Sequence, residues 1–139
     1  MGYGAKESRI KVEMSVVVTP EDIDDMMVSA LEGGITYWCD EAKVIGDYLG
    51  KYASEQISRG GSLWLHCIES PDDSETDVYE LTPDKFLRGL KMYLEDPNKP
   101  YDIFDGSGEK ELRIDCGMVD ATVADMIIQY ALFEDIVFG

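Results

Sequence analysis

His66 is the sole histidine of the chain, and Cys39, Cys67 and Cys116 are its only thiols, so nucleophilic or metal-centred chemistry would have to start from these four side chains. Thiolate and imidazole are the preferred ligands of zinc, and a neighbouring imidazole can activate a thiol. The spacing argues against both uses. The cysteines stand singly with no C-x-x-C, and the adjacent His66 and Cys67 fall in a stretch of strand character, which sends their side chains to opposite faces. No G-x-S-x-G accompanies the histidine. His66 is therefore expected to be a satisfied core or sheet-face residue, and the cysteines to be reduced and mostly buried.

Carboxylates are abundant, but their spacing fits other tasks. Asp22 sits where a helix dipole favours an acid, and Asp24 and Asp25 fall on a solvated helix surface. Asp96-x-Asn98-x-Pro100 puts proline at the fifth position of a calcium loop and Tyr101 where glycine is needed. Gly106-Ser107-Gly108 lacks a third glycine and a strand-helix setting, and no G-x-x-x-x-G-K-[ST] occurs. The expectation is a chain that is not an enzyme, with no catalytic residue, metal site or cofactor.

Two sets stand above this background. The first is acidic: Asp72, Asp73, Glu75 and Asp77, with Glu21, Asp22, Asp24 and Asp25, whose carboxylates would imitate a ladder of phosphates toward a basic partner. The second, an alternative ligand site, is Tyr37, Trp38, Arg59, Gly60 and Gly61: the aromatics would stack a base while Arg59 and the glycine amides hold a phosphate. Its plain alternative is a packed aromatic pair and a helix C-cap. A net charge of −17, from 29 acidic against 12 basic residues, opposes direct binding to nucleic acid or anionic membrane. The same charge also serves solubility. Lys85, Arg88 and Lys91 form one basic face, expected to pair with neighbouring acids.

These residues need elements to hold them. Ile10, Val12, Met14, Val16 and Val18 alternate with mostly polar neighbours and predict a half-buried strand. Thr19-Pro20-Glu21-Asp22 opens a helix with Ile23, Met26, Met27, Ala30 and Leu31 on one stripe, stopped by Gly33-Gly34. Ile45, Leu49, Tyr52, Ala53 and Ile57 have helical spacing in spite of Gly46 and Gly50, and Ile35 to Asp40 is ambiguous. Ser62 to Glu69 reads as a central strand, apolar on both faces, joined by a long acidic hairpin tip to a strand at Val78. Thr82-Pro83-Asp84 begins a helix with Phe86, Leu87, Leu90, Tyr93 and Leu94 on one stripe. Residues 96 to 110 read as a long loop, and Leu112 to Cys116 as a short strand. Asp120 caps a last helix that is apolar nearly all round, leaving chiefly Asp125 and Gln129 polar. Such a helix predicts a homodimer or larger oligomer through residues 121 to 138.

With 45% hydrophobic residues, a chain of 139 residues can bury roughly two-thirds of its unfolded surface. The expected fold class is α+β: a flexible N-terminus over residues 1 to 8, then a single domain over 9 to 139. One mostly antiparallel sheet of about four or five strands would be covered by three or four helices. The first residues lack a signal peptide's apolar stretch, and no run of about 18 apolar residues occurs, which predicts a cytoplasmic location.

The stretches Glu32 to Cys39, Tyr52 to Gly61 and Asp120 through Gly139 resemble a family of small proteins of phages and prophages of gut clostridia, over most of residues 15 to 139. That family carries no assigned activity, so the resemblance transfers no site residue. It implies a context: small phage accessory proteins often antagonise host defences, by occluding a nucleic-acid-binding effector or by sequestering a nucleotide signal. Three expectations follow. The leading one is a non-enzymatic anti-defence protein that inhibits a host protein with a basic surface, as an acidic nucleic-acid mimic. The others are a sponge for a nucleotide signal, and a structural or regulatory phage protein whose acidity keeps it soluble.

Overall fold

The computed structural model describes residues 6–71, 75–106 and 111–139. In chain order it has β1 (Val16–Val17), α1 (Pro20–Ser29), β2 (Cys39–Val44), β3 (Leu63–Cys67), β4 (Val78–Leu81), α2 (Pro83–Glu95), β5 (Phe104–Asp105), β6 (Leu112–Ile114) and α3 (Ala121–Phe133). The class is α+β, but among the described residues the strands form two three-stranded sheets where one larger sheet was expected. One has the order β2-β3-β4, antiparallel throughout. The other has the order β1-β6-β5, with β1 parallel to β6.

Local chemistry places the three long helices. Thr19 Oγ1 accepts from the Asp22 N–H at 3.1 Å while the Asp22 carboxylate accepts from the Thr19 N–H at 2.9 Å, a reciprocal cap on α1. Thr82 and Asp120 cap α2 and α3 in one direction, accepting from the Lys85 N–H and the Val123 N–H. Gly33-Gly34 does not simply stop α1. The chain continues through a π turn over Ala30–Gly34, closed by Ile35 N–H to Ala30 C=O at 3.0 Å. A Cβ on Gly34 would lie 2.7 Å from the Ala121 carbonyl, so the missing side chain lets this turn rest on the start of α3.

α3 is the central element. It packs against α2, the π turn, α1 and β4, and Val123, Ile127 and Ile128 are buried beside Met26, Met27, Phe86 and Leu90. The all-round apolar helix that predicted an oligomer is thus covered within its own chain. Asp125 and Gln129, expected to be its polar outer residues, are buried. Arg88, from the basic face of α2, donates to the Ala131 carbonyl at 2.7 Å and pairs with Glu134 at 3.6 Å, closing the C-terminal end of α3. Lys85 donates to the Glu80 carbonyl, and Lys91 is exposed. No helix among the described residues is long and apolar enough to cross a membrane.

Among the described residues one expected element is cut short and one is missing. Of the alternating stretch from Ile10 to Val18, only Val16 and Val17 pair, because β6 is three residues long and its ladder ends there. Ile45 to Ile57 is not a helix: Gly46 takes φ +75°, and side chains replace helical hydrogen bonds. The Glu55 carboxylate accepts from the Lys51 and Tyr52 N–H groups, and Gln56 bonds the Leu49 N–H and the Asp47 carbonyl. A single 3-10 turn over Ala53–Glu55 is what remains. The ambiguous segment at Ile35 ends where β2 begins, so the strand that flanks β3 follows it.

Candidate partner-binding face

β3 alternates as its sequence predicts, and its two faces meet different surroundings. Leu63, Leu65 and Cys67 point into the core, while Trp64, His66 and the following Ile68 stand on the other side of the sheet. β3 is central in hydrogen bonding, yet this second face is open: Trp64 is 43% exposed and Ile68 53%. The register sets Trp64 between Lys43 on β2 and Glu80 on β4, and His66 between Glu41 and Val78. Glu41, Lys43, Trp64, His66 and Val78 line a shallow cavity of 410 Å³.

The bulge in β2 between Cys39 and Glu41 brings the Asp40 carboxylate to 2.5 Å from His66 Nδ1. Asp77, just before β4, lies 3.3 Å from Nε2. Facing a carboxylate at each nitrogen, the ring favours its doubly protonated form, and its pKa is raised, first by the hydrogen bond to Asp40. That contribution is complete below the ordinary histidine value and is lost as the pH rises through the raised one, where the face gains negative charge. With one histidine in the chain, an NMR titration reads this group alone. The expected result is a pKa above 6.5 that falls more in Asp40→Asn than in Asp77→Asn; a titration at or below 6.5 would show that the carboxylates do not hold the ring.

Imidazole and thiol are kept apart. Cys67 is buried on the opposite face and its pKa is pushed up to about 12, chiefly by burial. Cys116 is raised to about 12, with burial again the main cause and the Asp22 carboxylate beside it. Such thiols are poor nucleophiles. No cluster of three or more His, Cys, Asp or Glu among the described residues could hold a metal ion. What the face offers is an aromatic anchor, Trp64, with aliphatic flanks and a rim of Asp40, Glu41, Asp77 and Glu80 relieved by Lys43.

The acidic set from the sequence divides between layers. Asp72 and Asp73 lie outside the described residues. Glu75 and Asp77 are exposed at the β3–β4 connection, Asp77 on the open face with His66. The α1 acids belong to the helical layer behind the sheet. There Asp22 is spent on its cap and on Cys116, Asp24 accepts from Ser58 Oγ at 2.5 Å, and Glu21 and Asp25 face solvent.

The alternative ligand set does not converge either. Trp38 is buried, stacks on Phe138 with ring centres 5.1 Å apart, and donates its indole N–H to Asp125. The Tyr37 hydroxyl also donates to Asp125. Arg59 pairs with Glu55 at 3.4 Å, Gly60 takes φ +90°, and Gly61 lies against the Gln56 side chain, all in the turn beside α1.

Trp64, Asp40, Glu41 and Val78 are the residues that sequence reasoning passed over. The sequence reads both faces of β3 as apolar and covered, whereas the face of Trp64, His66 and Ile68 is open; β2, which completes the site, has no readable pattern. No known protein family, curated protein or solved structure matches this chain.

Proposed function

We propose that this chain is a non-enzymatic binding protein that docks onto a basic protein surface through the open face of β2-β3-β4. The observation that supports this reading is Trp64, a large aromatic left 43% exposed on the central strand between Lys43 and Glu80, on the face where Asp40 and Asp77 hold His66. Tryptophan is among the residues that dominate interface energies when a partner covers them, and surrounding charges steer approach and select the partner. Docking would replace the water over Trp64, Ile68 and Val78 with partner side chains. Lysine or arginine would meet Asp40, Glu41, Glu75 and Asp77. In the setting that the resemblance implies, the chain is a phage accessory protein, the partner is a host factor that binds nucleic acid, and docking inhibits it.

The test is capture of the partner from host lysate, followed by affinity measurements with the purified pair. Trp64→Ala is expected to weaken binding by about thirtyfold or more, the loss of one aromatic anchor. Neutralising Glu75 and Asp77 to Gln and Asn should weaken it further and flatten its dependence on salt. Nucleic acid should compete. A folded Trp64→Ala variant that binds as tightly as the parent, with no effect of salt or competitor, would remove this reading.

A further inference from the structure

The N-terminal arm, residues 6 to 15, has an alternating sequence pattern that pairs with no strand among the described residues. Ile10, Val12 and Met14 alternate like strand residues, yet they are 86%, 74% and 62% exposed. Val12, Met14 and Val16 line a groove of 520 Å³ with Leu94, Phe104 and Leu112, and Glu13, Lys91 and Glu95 complete it. The arm runs directly into β1, an edge strand whose outer side has no partner among the described residues. An apolar, alternating edge of this kind is a template for a further strand.

We propose that the occupant is the same arm of a second copy, paired antiparallel about a two-fold axis at Val12. The charge pattern selects this partner and this register. In a two-fold antiparallel pair, the register centred on Val12 sets Ile10 opposite Met14 and Lys11 opposite Glu13, each twice. Centring on Lys11 sets Arg9 opposite Glu13 but lysine against lysine at the axis, centring on Glu13 sets glutamate against glutamate, and centring on Met14 pairs no opposite charges. Centring on Ile10 puts Arg9 opposite Lys11. A shift by one residue would turn apolar side chains against charged ones. Lys6, Arg9 and Lys11, against Glu7 and Glu13, also make the arm cationic in a chain of net charge −17, so the acidity that keeps two copies apart lies outside the arms. The result joins two three-stranded sheets across β1 and sets the apolar side chains of the two arms beside one another. This interface is distinct from the 121 to 138 segment, whose helix packs within its own chain.

Sedimentation velocity of the full chain at about 10 to 100 micromolar tests this. The repulsion between two strongly acidic bodies opposes pairing, so the dimer is expected to gain population as salt rises, opposite to the salt response expected of basic-partner binding. Lys11→Glu and Glu13→Lys should each weaken the dimer by about tenfold, and the double variant should restore it. Net charge alone predicts otherwise, since Glu13→Lys reduces the acidity of the body and would strengthen association. All of these substitutions lie outside the packed core, and circular dichroism checks that the fold is kept. A monomer at every concentration and salt level overturns the proposal, as does a dimer that Glu13→Lys strengthens or that the double variant fails to restore.

Discussion

Replacing Gly89 by alanine is expected to lower stability by about 2 kcal/mol, although alanine is the better helix former. Gly89 lies inside α2 where that helix crosses α3, the most extensive helix contact of the fold. A Cβ there would stand 2.4 Å from the Ile127 carbonyl oxygen, 2.6 Å from the Ala131 nitrogen and 2.7 Å from the Ala131 Cβ. Two of these are backbone atoms of a capped, buried helix, which cannot step aside as a side-chain end can. Helix propensity offers up to about 1 kcal/mol in favour of alanine, while forcing a methyl into a filled contact costs about 1–3 kcal/mol or more. The clash also pulls on the Arg88 bond to the Ala131 carbonyl, one residue away in α2. Urea unfolding measures the effect as a lower midpoint at unchanged slope. Gly33→Ala is the control, because nothing lies within 4 Å of its added methyl. It should be neutral or slightly stabilising. A Gly89→Ala protein as stable as the parent would mean that the two helices can separate without loss.

What the sequence made legible is what local chemistry decides. Thr19, Thr82 and Asp120 each lie within a few bonds of the amides that they cap, so all three long helices begin where the pattern puts them. The alternation of β3 and its hairpin with β4 is equally local. The misreadings involve side-chain hydrogen bonds and packing that hydrophobic spacing does not record. Ile45 to Ile57 has helical spacing, but Glu55 and Gln56 hold its backbone in turns, and only Ile57 of the five apolar residues is fully buried. β2 has no clear alternation because a bulge changes its register at Asp40 and one of its faces is open. The candidate face therefore emerges only once β2 is seen beside β3. Asp125 and Gln129 look like an outer stripe in sequence, because the residues that cover them are some ninety positions earlier and at the C-terminal end.

That covered pair carries the last prediction: Asp125→Ala should cost about 3 kcal/mol and free the C-terminal tail. The Asp125 carboxylate accepts from the Trp38 indole N–H at 2.7 Å, the Tyr37 hydroxyl at 2.7 Å and the Gln129 amide at 2.9 Å. Gln129 in turn accepts at Oε1 from the Val137 and Phe138 N–H groups, at 2.7 and 2.8 Å, which seats Phe138 on Trp38. Hydrogen bonds to a charged group are worth about 1.5–3 kcal/mol each, and deleting the acceptor also leaves buried donors without partners. Asp125→Asn keeps one acceptor oxygen for Trp38, so its loss should be smaller. Hydrogen exchange at the Val137 and Phe138 amides should quicken in both variants, more in the alanine one. The same network predicts a response to alkali. Burial, and then the hydrogen bond to Asp125, raise the Tyr37 pKa to about 12, so its contribution is complete below the ordinary tyrosine value near 10 and fades as the pH climbs toward 12. In Asp125→Ala the Tyr37 phenolate should form at lower pH. If instead Asp125→Ala leaves the stability, the tail amides and the tyrosine titration as they were, the carboxylate is not what ties the tail to α3.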